Sequence, residues 1–250
     1  MKTAILNFNP ENNSVVKSSI DGLISLAPAE TDCSVLHFKQ DHDYGEFDCL
    51  ILTGSCLSAY SFQKMLEENI FEYENYFHVH KVFKKLLNYN NPIFGICFGA
   101  QFLALLNGGK IGNLSKTEYG FLEHKLTVAG KKDTVFNCLP EKFFGAHAHN
   151  DFVSELPTGK LVKSAEIIAV RNNYIHAYKL IRENGATCYG VQPHPEMSTA
   201  ARATMMITDE AELVRKKVGD EEFNKITKIP EDATFDLPQV VNNFLREVIC

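Results

Sequence analysis

One stretch constrains the fold more than any other. A short apolar run, Pro92-Ile93-Phe94, leads into Gly95-Ile96-Cys97-Phe98-Gly99-Ala100-Gln101. A second apolar run follows, Phe102-Leu103-Ala104-Leu105-Leu106, closed by Asn107-Gly108-Gly109. The first run reads as a buried strand and the second as a short helix ended by glycine. Cys97 therefore stands where a strand turns sharply into a helix, with glycine two residues away on each side. Small flanking residues let the chain turn tightly and let a ligand approach the backbone. The helix N-terminus turns free N–H groups toward the thiol, which favours a thiolate and offers a donor to an oxyanion. This is a nucleophile elbow with Cys in place of Ser.

Taken alone, Gly-x-Cys-x-Gly also suits a cysteine that is only a small buried hydrophobe. A second stretch, Tyr189-Gly190-Val191-Gln192-Pro193-His194-Pro195-Glu196, supplies a base and a carboxylate two residues apart. Extended backbone points such a pair to one side, and the two prolines stiffen it. A catalytic cysteine needs a base, and the base needs an orienting group.

Together the two stretches resemble the motifs of the class I (triad-type) glutamine amidotransferases, Gly-x-Cys-x-Gly-x-Gln and Gly-Val-Gln-Phe-His-Pro-Glu. The likeness runs from about the first strand to His-Pro-Glu and resumes in the last helix. Pro193 stands where the family usually has Phe. The resemblance implies an α/β fold: a flavodoxin-like open, mostly parallel sheet with helices on both faces. It implies a Cys97–His194–Glu196 triad that hydrolyses the side-chain amide of glutamine through a thioester. The ammonia would pass to an acceptor handled by a separate synthetase partner, since no P-loop or synthetase motif occurs in the chain.

Further roles are carried over position by position. The third strand, Phe47 to Leu52, runs into Thr53-Gly54-Ser55-Cys56. The family has Gly-Gly-Pro there; aligned on Gly54, the backbone N–H of Ser55 becomes an oxyanion donor beside that of Phe98. The family's His-Gly-Asp corresponds to His149-Asn150-Asp151, followed by Leu156-Pro157, and its backbone holds the amino-acid end of glutamine. Asn150 replaces Gly, and Asn tolerates left-handed conformations. Gly54, Gln101, His149, Asn150 and Asp151 are thus the implied substrate-binding residues. An alternative on the same scaffold is a γ-glutamyl peptidase or hydrolase with a larger leaving group; a third reading is an inactive relative that only binds.

The rest of the chain fits an α/β order. Strands are expected at Thr3 to Phe8, Ser34 to Phe38, Lys110 to Gly112, Leu122 to Val128, Leu161 to Ala165, Ile167 to Arg171, Tyr174 to Lys179 and Thr187 to Val191. A helix from Val15 to Leu26 is weakened by Gly22. His78 to Leu87 is a helix with Val79, Val82, Phe83, Leu86 and Leu87 inward. Between them, 60–76 is acidic and aromatic and reads as a pocket rim or a solvated face. We expect one domain over 1–250, with a polar helical insertion at about 198–236. A closing helix over 237–250 would turn Val240, Val241, Phe244, Leu245, Val248 and Ile249 inward.

Apolar residues make up 45% of the 250, ample for a core, and no apolar run spans a bilayer. The first residues read as a strand, not a signal peptide. A net charge of −6 gives no reason to expect nucleic acid. Seven cysteines without paired spacing point to a reducing, cytoplasmic setting. His147 and His149 lie close, but no cysteine or acidic cluster joins them in a zinc-like spacing, so neither a metal nor any other cofactor is expected.

Overall fold

A computed structural model describes residues 1–209, 215–216, 219–231 and 233–249. Nine strands form one mixed sheet. They are β1 (Lys2–Asn7), β2 (Asp32–His37), β3 (Cys49–Leu52), β4 (Ile93–Ile96), β5 (Lys110–Leu126), β6 (Lys142–Glu155), β7 (Val162–Arg171), β8 (Tyr174–Arg182) and β9 (Thr187–Val191). The helices among the described residues are α1 (Ser14–Leu26), α2 (Ala59–Glu68), α3 (Glu74–Leu86), α4 (Phe98–Leu106), α5 (Ala200–Asp209), α6 (Asp220–Thr227) and α7 (Pro238–Ile249).

Strands β2, β1, β3, β4 and β9 run parallel in that order. Every residue of β3 and β4 is buried, as a parallel sheet covered on both faces requires. Side chains alternate between the two covering layers. Ala4 and Leu6 pack with Phe62 of α2, with Val79, Val82 and Leu86 of α3, and with Phe102 of α4. Ile5 packs on the opposite face with Leu23 of α1 and with Val240, Val241, Phe244 and Leu245 of α7. Helices therefore cover both faces, as expected. Two residues expected to turn inward are exposed: Ile249 on α7, and Leu87, which lies just past the end of α3.

The expectation of an open, mostly parallel sheet fails in the other half. Strands β8, β6, β5 and β7 are antiparallel neighbours, and β7 pairs back onto β8, so these four close into a ring. Two local features allow it. The β7–β8 connection is the dipeptide Asn172-Asn173, at φ 48° and 65°, the left-handed pair that matches the twist of a two-residue hairpin. β5 is one strand of 17 residues, not the two expected, and slips register between Asn113 and Glu118. Such an irregularity bends a strand, so β5 pairs with β6 along its length and with β7 at its end.

Helices α5 and α6 occupy the stretch read as an insertion; 210–214, 217, 218 and 232 lie outside the described residues. Phe223 of α6 and Ala203 of α5 pack over Tyr119 and Phe121 of β5 in a small third core. Glu67, Glu68, Glu72 and Glu74 are all exposed, so the 60–76 charge run is a solvated face. No described helix is long and apolar enough to cross a membrane.

Candidate active site

The elbow forms because β4 is fully buried between β3 and β9 and α4 leaves at once behind it. Cys97 makes the turn at φ 49°, ψ −111°, a strained conformation for a residue with a side chain, costing about 1–3 kcal/mol. Its flanks hold it there: Cys97 N–H donates to Val191 O at 2.8 Å, and Gly99 N–H to Thr53 O at 3.1 Å. Phe98 is the first residue of α4, so its N–H is one of the donors a helix leaves without an internal partner.

The base arrives from β9. Past Val191, Pro193 packs on Gly145 of β6, which accommodates the departure from the family's Phe. His194 N–H then donates to Ala146 O at 3.1 Å. Its Nδ1 lies 2.7 Å from Glu196 Oε1, and Glu196 is buried. Ser19 of α1 donates to the same carboxylate oxygen at 2.9 Å. Gly22, which the sequence marks only as a weak point in α1, lets that helix touch the turn: a Cβ there would sit 2.7 Å from Glu196 O. Burial on its own would lower the pKa of His194. The Glu196 charge and a hydrogen bond with Cys97 outweigh it and hold the imidazole well above its ordinary value. Thiol, imidazole and carboxylate thus stand in series.

Gly54 closes the other side of the thiol; a Cβ there would come within 2.7 Å of His194 Cε1 and 3.5 Å of Cys97 Cβ. Ser55 anchors this loop by donating from Oγ to Phe8 O at 2.8 Å. Two recesses meet at Cys97. One, of about 340 Å³, extends past Gly54 and His194 toward Asn13 and Met197. The other, of about 280 Å³, is bordered by Gln101, Asn113, Thr117 and the 149–151 segment.

The 149–151 segment is placed by its neighbours. Gln101 donates from its amide to Asp151 O at 2.7 Å and to Gln192 Oε1 at 2.9 Å. The Asp151 carboxylate is occupied by Ser58 Oγ, Tyr60 N–H and Asn113, at 2.7, 3.0 and 2.7 Å, and so ties α2 to β6. Asn150 lies within strand β6 and is not among the described residues with positive φ, so its replacement of Gly demands no left-handed backbone. His149 borders the recess but turns its ring inward, with Nδ1 2.9 Å from Asp151 O. There it joins Glu118, His147 and His176, a grouping the sequence hides because the residues come from three strands. Burial pushes His147 well below its ordinary value and His176 down to about 2. Ser19, Ser58 and Asn113 also carry no signal in the sequence; each acts through a contact between residues far apart in the chain, as does Gln192, which stands in the quoted motif but without a role until its bond to Gln101 is seen.

A parallel sheet that offers a cysteine at a strand–helix elbow, with His and Glu behind it, defines an α/β protein with a candidate thiol–imidazole–carboxylate site. The family model for class I glutamine amidotransferases matches residues 62–213. A GMP synthase glutamine-hydrolysing chain from Ignicoccus hospitalis is 28% identical over 219 residues, covering 86% of this chain and 100% of that one. A glutamine-hydrolysing GMP synthase from Thermosipho africanus is 32% identical over 158 residues, 63% of this chain but only 28% of that longer enzyme. A glutamine amidotransferase structure from Thermotoga maritima superposes with a TM-score of 0.68 at 17% identity, over 99% of this chain and 97% of that one. The chain belongs to the class I glutamine amidotransferase family.

Proposed function

We propose that the chain hydrolyses the side-chain amide of glutamine at Cys97 and delivers ammonia to a separate synthetase partner. The observation that carries this reading is the Cys97–His194–Glu196 series at the elbow. His194 takes the thiol proton, and Glu196 fixes its tautomer and balances the imidazolium. The thiolate attacks the amide carbonyl, and the backbone N–H groups of Phe98 and Ser55 receive the oxyanion; one such donor is typically worth about 3–4 kcal/mol of barrier. His194 returns the proton to the departing ammonia, and water cleaves the γ-glutamyl thioester. The recess beside 149–151 takes the amino-acid end, held by backbone that Gln101 and the Asp151 carboxylate keep in place, with Gly54 leaving the thiol open. The relatives' names support a synthetase partner, and the parallel order β2-β1-β3-β4-β9 supports a flavodoxin-like reading of that half of the sheet. We read 1–250 as one domain with its insertion at about 198–236, and free cysteines among the described residues support a cytoplasmic setting.

The second recess favours one alternative, because space beyond the carbonyl suits a leaving group larger than ammonia: a γ-glutamyl peptide. Rates of ammonia release from glutamine and of amine release from γ-glutamyl dipeptides decide between them. We expect glutamine to be the better substrate by kcat/KM; a preference for the dipeptides would overturn the amidotransferase reading. A further expectation concerns the thiol's other wall. Gly54→Ala should push the imidazole off Cys97 and lower kcat at least about 100-fold, the scale of a 1 Å misplacement, with little change in Tm. Unchanged kcat would show that the imidazole moves aside freely.

A further inference from the structure

We propose that Glu118, His147, His149 and His176 form a closed four-ligand Zn²⁺ site inside the ring made by β5, β6, β7 and β8. The register brings them together. Glu118 of β5 lies directly opposite His149 of β6, and His147 shares the face of His149 because it stands two residues before it. His176 enters from β8. The three histidines are buried, at 0, 7 and 1% exposure in chain order, and one donor atom from each of the four residues lies within 4.8 Å of all the others.

The distances fit coordination better than hydrogen bonding. Glu118 Oε2 stands 3.3 Å from His149 Nε2 and 3.3 Å from His176 Nε2. None of these three buried atoms has a hydrogen-bond partner. Around a Zn²⁺ with ligand bonds of about 2.0–2.1 Å, neighbouring donors of a tetrahedron are about 3.3–3.4 Å apart. Buried polar atoms that converge without bonding one another are uncommon and call for a ligand.

The outer contacts set the lone pairs. A carbonyl only accepts, so Asp151 O holds the proton of His149 on Nδ1 and leaves Nε2 bare. His147 Nε2 lies 2.8 Å from His124 Nε2; the tautomer that donates there leaves His147 Nδ1, also buried and unpartnered, as a bare donor. Arg171 Nε pairs with the second oxygen of Glu118 at 3.2 Å. Three of the four ligands are thus held from behind, as a metal site needs, while His176 Nδ1 has no partner and that ring is placed by its strand and its packing. Imidazole and carboxylate without thiolate, four donors and no open position describe a structural Zn²⁺ site. Such an ion would pin three strands behind the 149–151 segment without touching Cys97, so the proposal stands apart from the glutamine reading.

The test uses the full chain stripped with a chelator and titrated with Zn²⁺, read by native mass spectrometry and thermal melting. One Zn²⁺ per chain and a raised Tm are expected. Both should persist in Cys97→Ala and weaken at least 100-fold in His176→Gln and in Glu118→Gln. Should either variant fail to fold, Co²⁺ loaded into the unaltered chain gives an independent readout. Tetrahedral visible bands without a sulfur-to-cobalt charge-transfer band support the site. No stoichiometric Zn²⁺ would overturn the proposal. So would Zn²⁺ that is lost in Cys97→Ala but kept in His176→Gln, or a Co²⁺ thiolate band, because each places the ion on the Cys97–His194 pair.

Discussion

Cys97→Ala should lower kcat for glutamine hydrolysis on the order of 10⁴–10⁶-fold while leaving the fold intact. The size follows from the loss of the nucleophile in a unit whose members act together; what survives is the contribution of the oxyanion donors and of substrate binding. The fold should tolerate the change for a local reason. Cys97 sits at φ 49°, and Ala meets the same steric penalty there as Cys, so the strain neither rises nor falls. The thiol is replaced by a methyl in a small buried space at the mouth of two recesses, and we expect Tm to move by no more than a few degrees. Stopped assays of ammonia release, beside calorimetry, check both halves. A variant that hydrolyses glutamine within tenfold of the parent would remove Cys97 from the chemistry. Cys97→Gly should be equally inactive yet more stable by about 1 kcal/mol, because glycine adopts the elbow conformation without strain.

Glu196→Gln should cost about 10³–10⁴-fold in kcat, the scale found when an orienting carboxylate becomes an amide. The amide can present N–H to His194 Nδ1 and so stabilise the wrong tautomer. It also removes the charge that opposes burial. In the parent, burial lowers and Glu196 raises the pKa of His194, and the net shift is upward from 6.5. A group raised on folding adds stability that is fully present below its unfolded value, near 6.5, and is lost as pH rises through the folded value. With the carboxylate gone the largest upward cause is lost and only the Cys97 contact opposes burial, so the upward shift shrinks and this pH dependence with it. Melting curves from pH 5 to 9 should therefore slope downward with pH in the parent, for this group's share, and show a smaller share in the variant. Identical pH profiles would show that Glu196 does not set the charge of His194. Ser19→Ala, which removes the 2.9 Å donor to Glu196, should lower kcat by a smaller factor through looser placing of the carboxylate and keep the parent's pH slope, because the charge remains.

The elements of the candidate site were legible in the sequence because each is local. The elbow needs only an apolar strand, small residues and an apolar helix in succession, and β4, Cys97 and α4 follow that order. His194 and Glu196 are two apart, so extended backbone was enough to pair them. Most of α3 and most of α7 were set by apolar spacing alone; Leu87 and Ile249, at their ends, face solvent instead. What escaped depends on contacts between distant segments. The closing of β7 onto β8 was signalled only by Asn172-Asn173, which reads as an ordinary turn until the strands on both sides are placed. Gly22 looked like a flaw in α1 and is instead the point where that helix meets the Glu196 turn. Asp151 carries a carboxylate that looks free for ligand but is occupied by α2 and Asn113. The Glu118, His147, His149 and His176 grouping could not be seen from spacing, because β5 and β8 supply two of its members from far along the chain.

The measurement that tests the central claim most directly is mass spectrometry of the chain after exposure to a diazo-ketone analogue of glutamine. A glutamine site at the elbow predicts a single adduct on Cys97, blocked by excess glutamine and absent in His194→Ala. Adducts spread over several of the cysteines, or a Cys97 adduct that glutamine does not block, would contradict it.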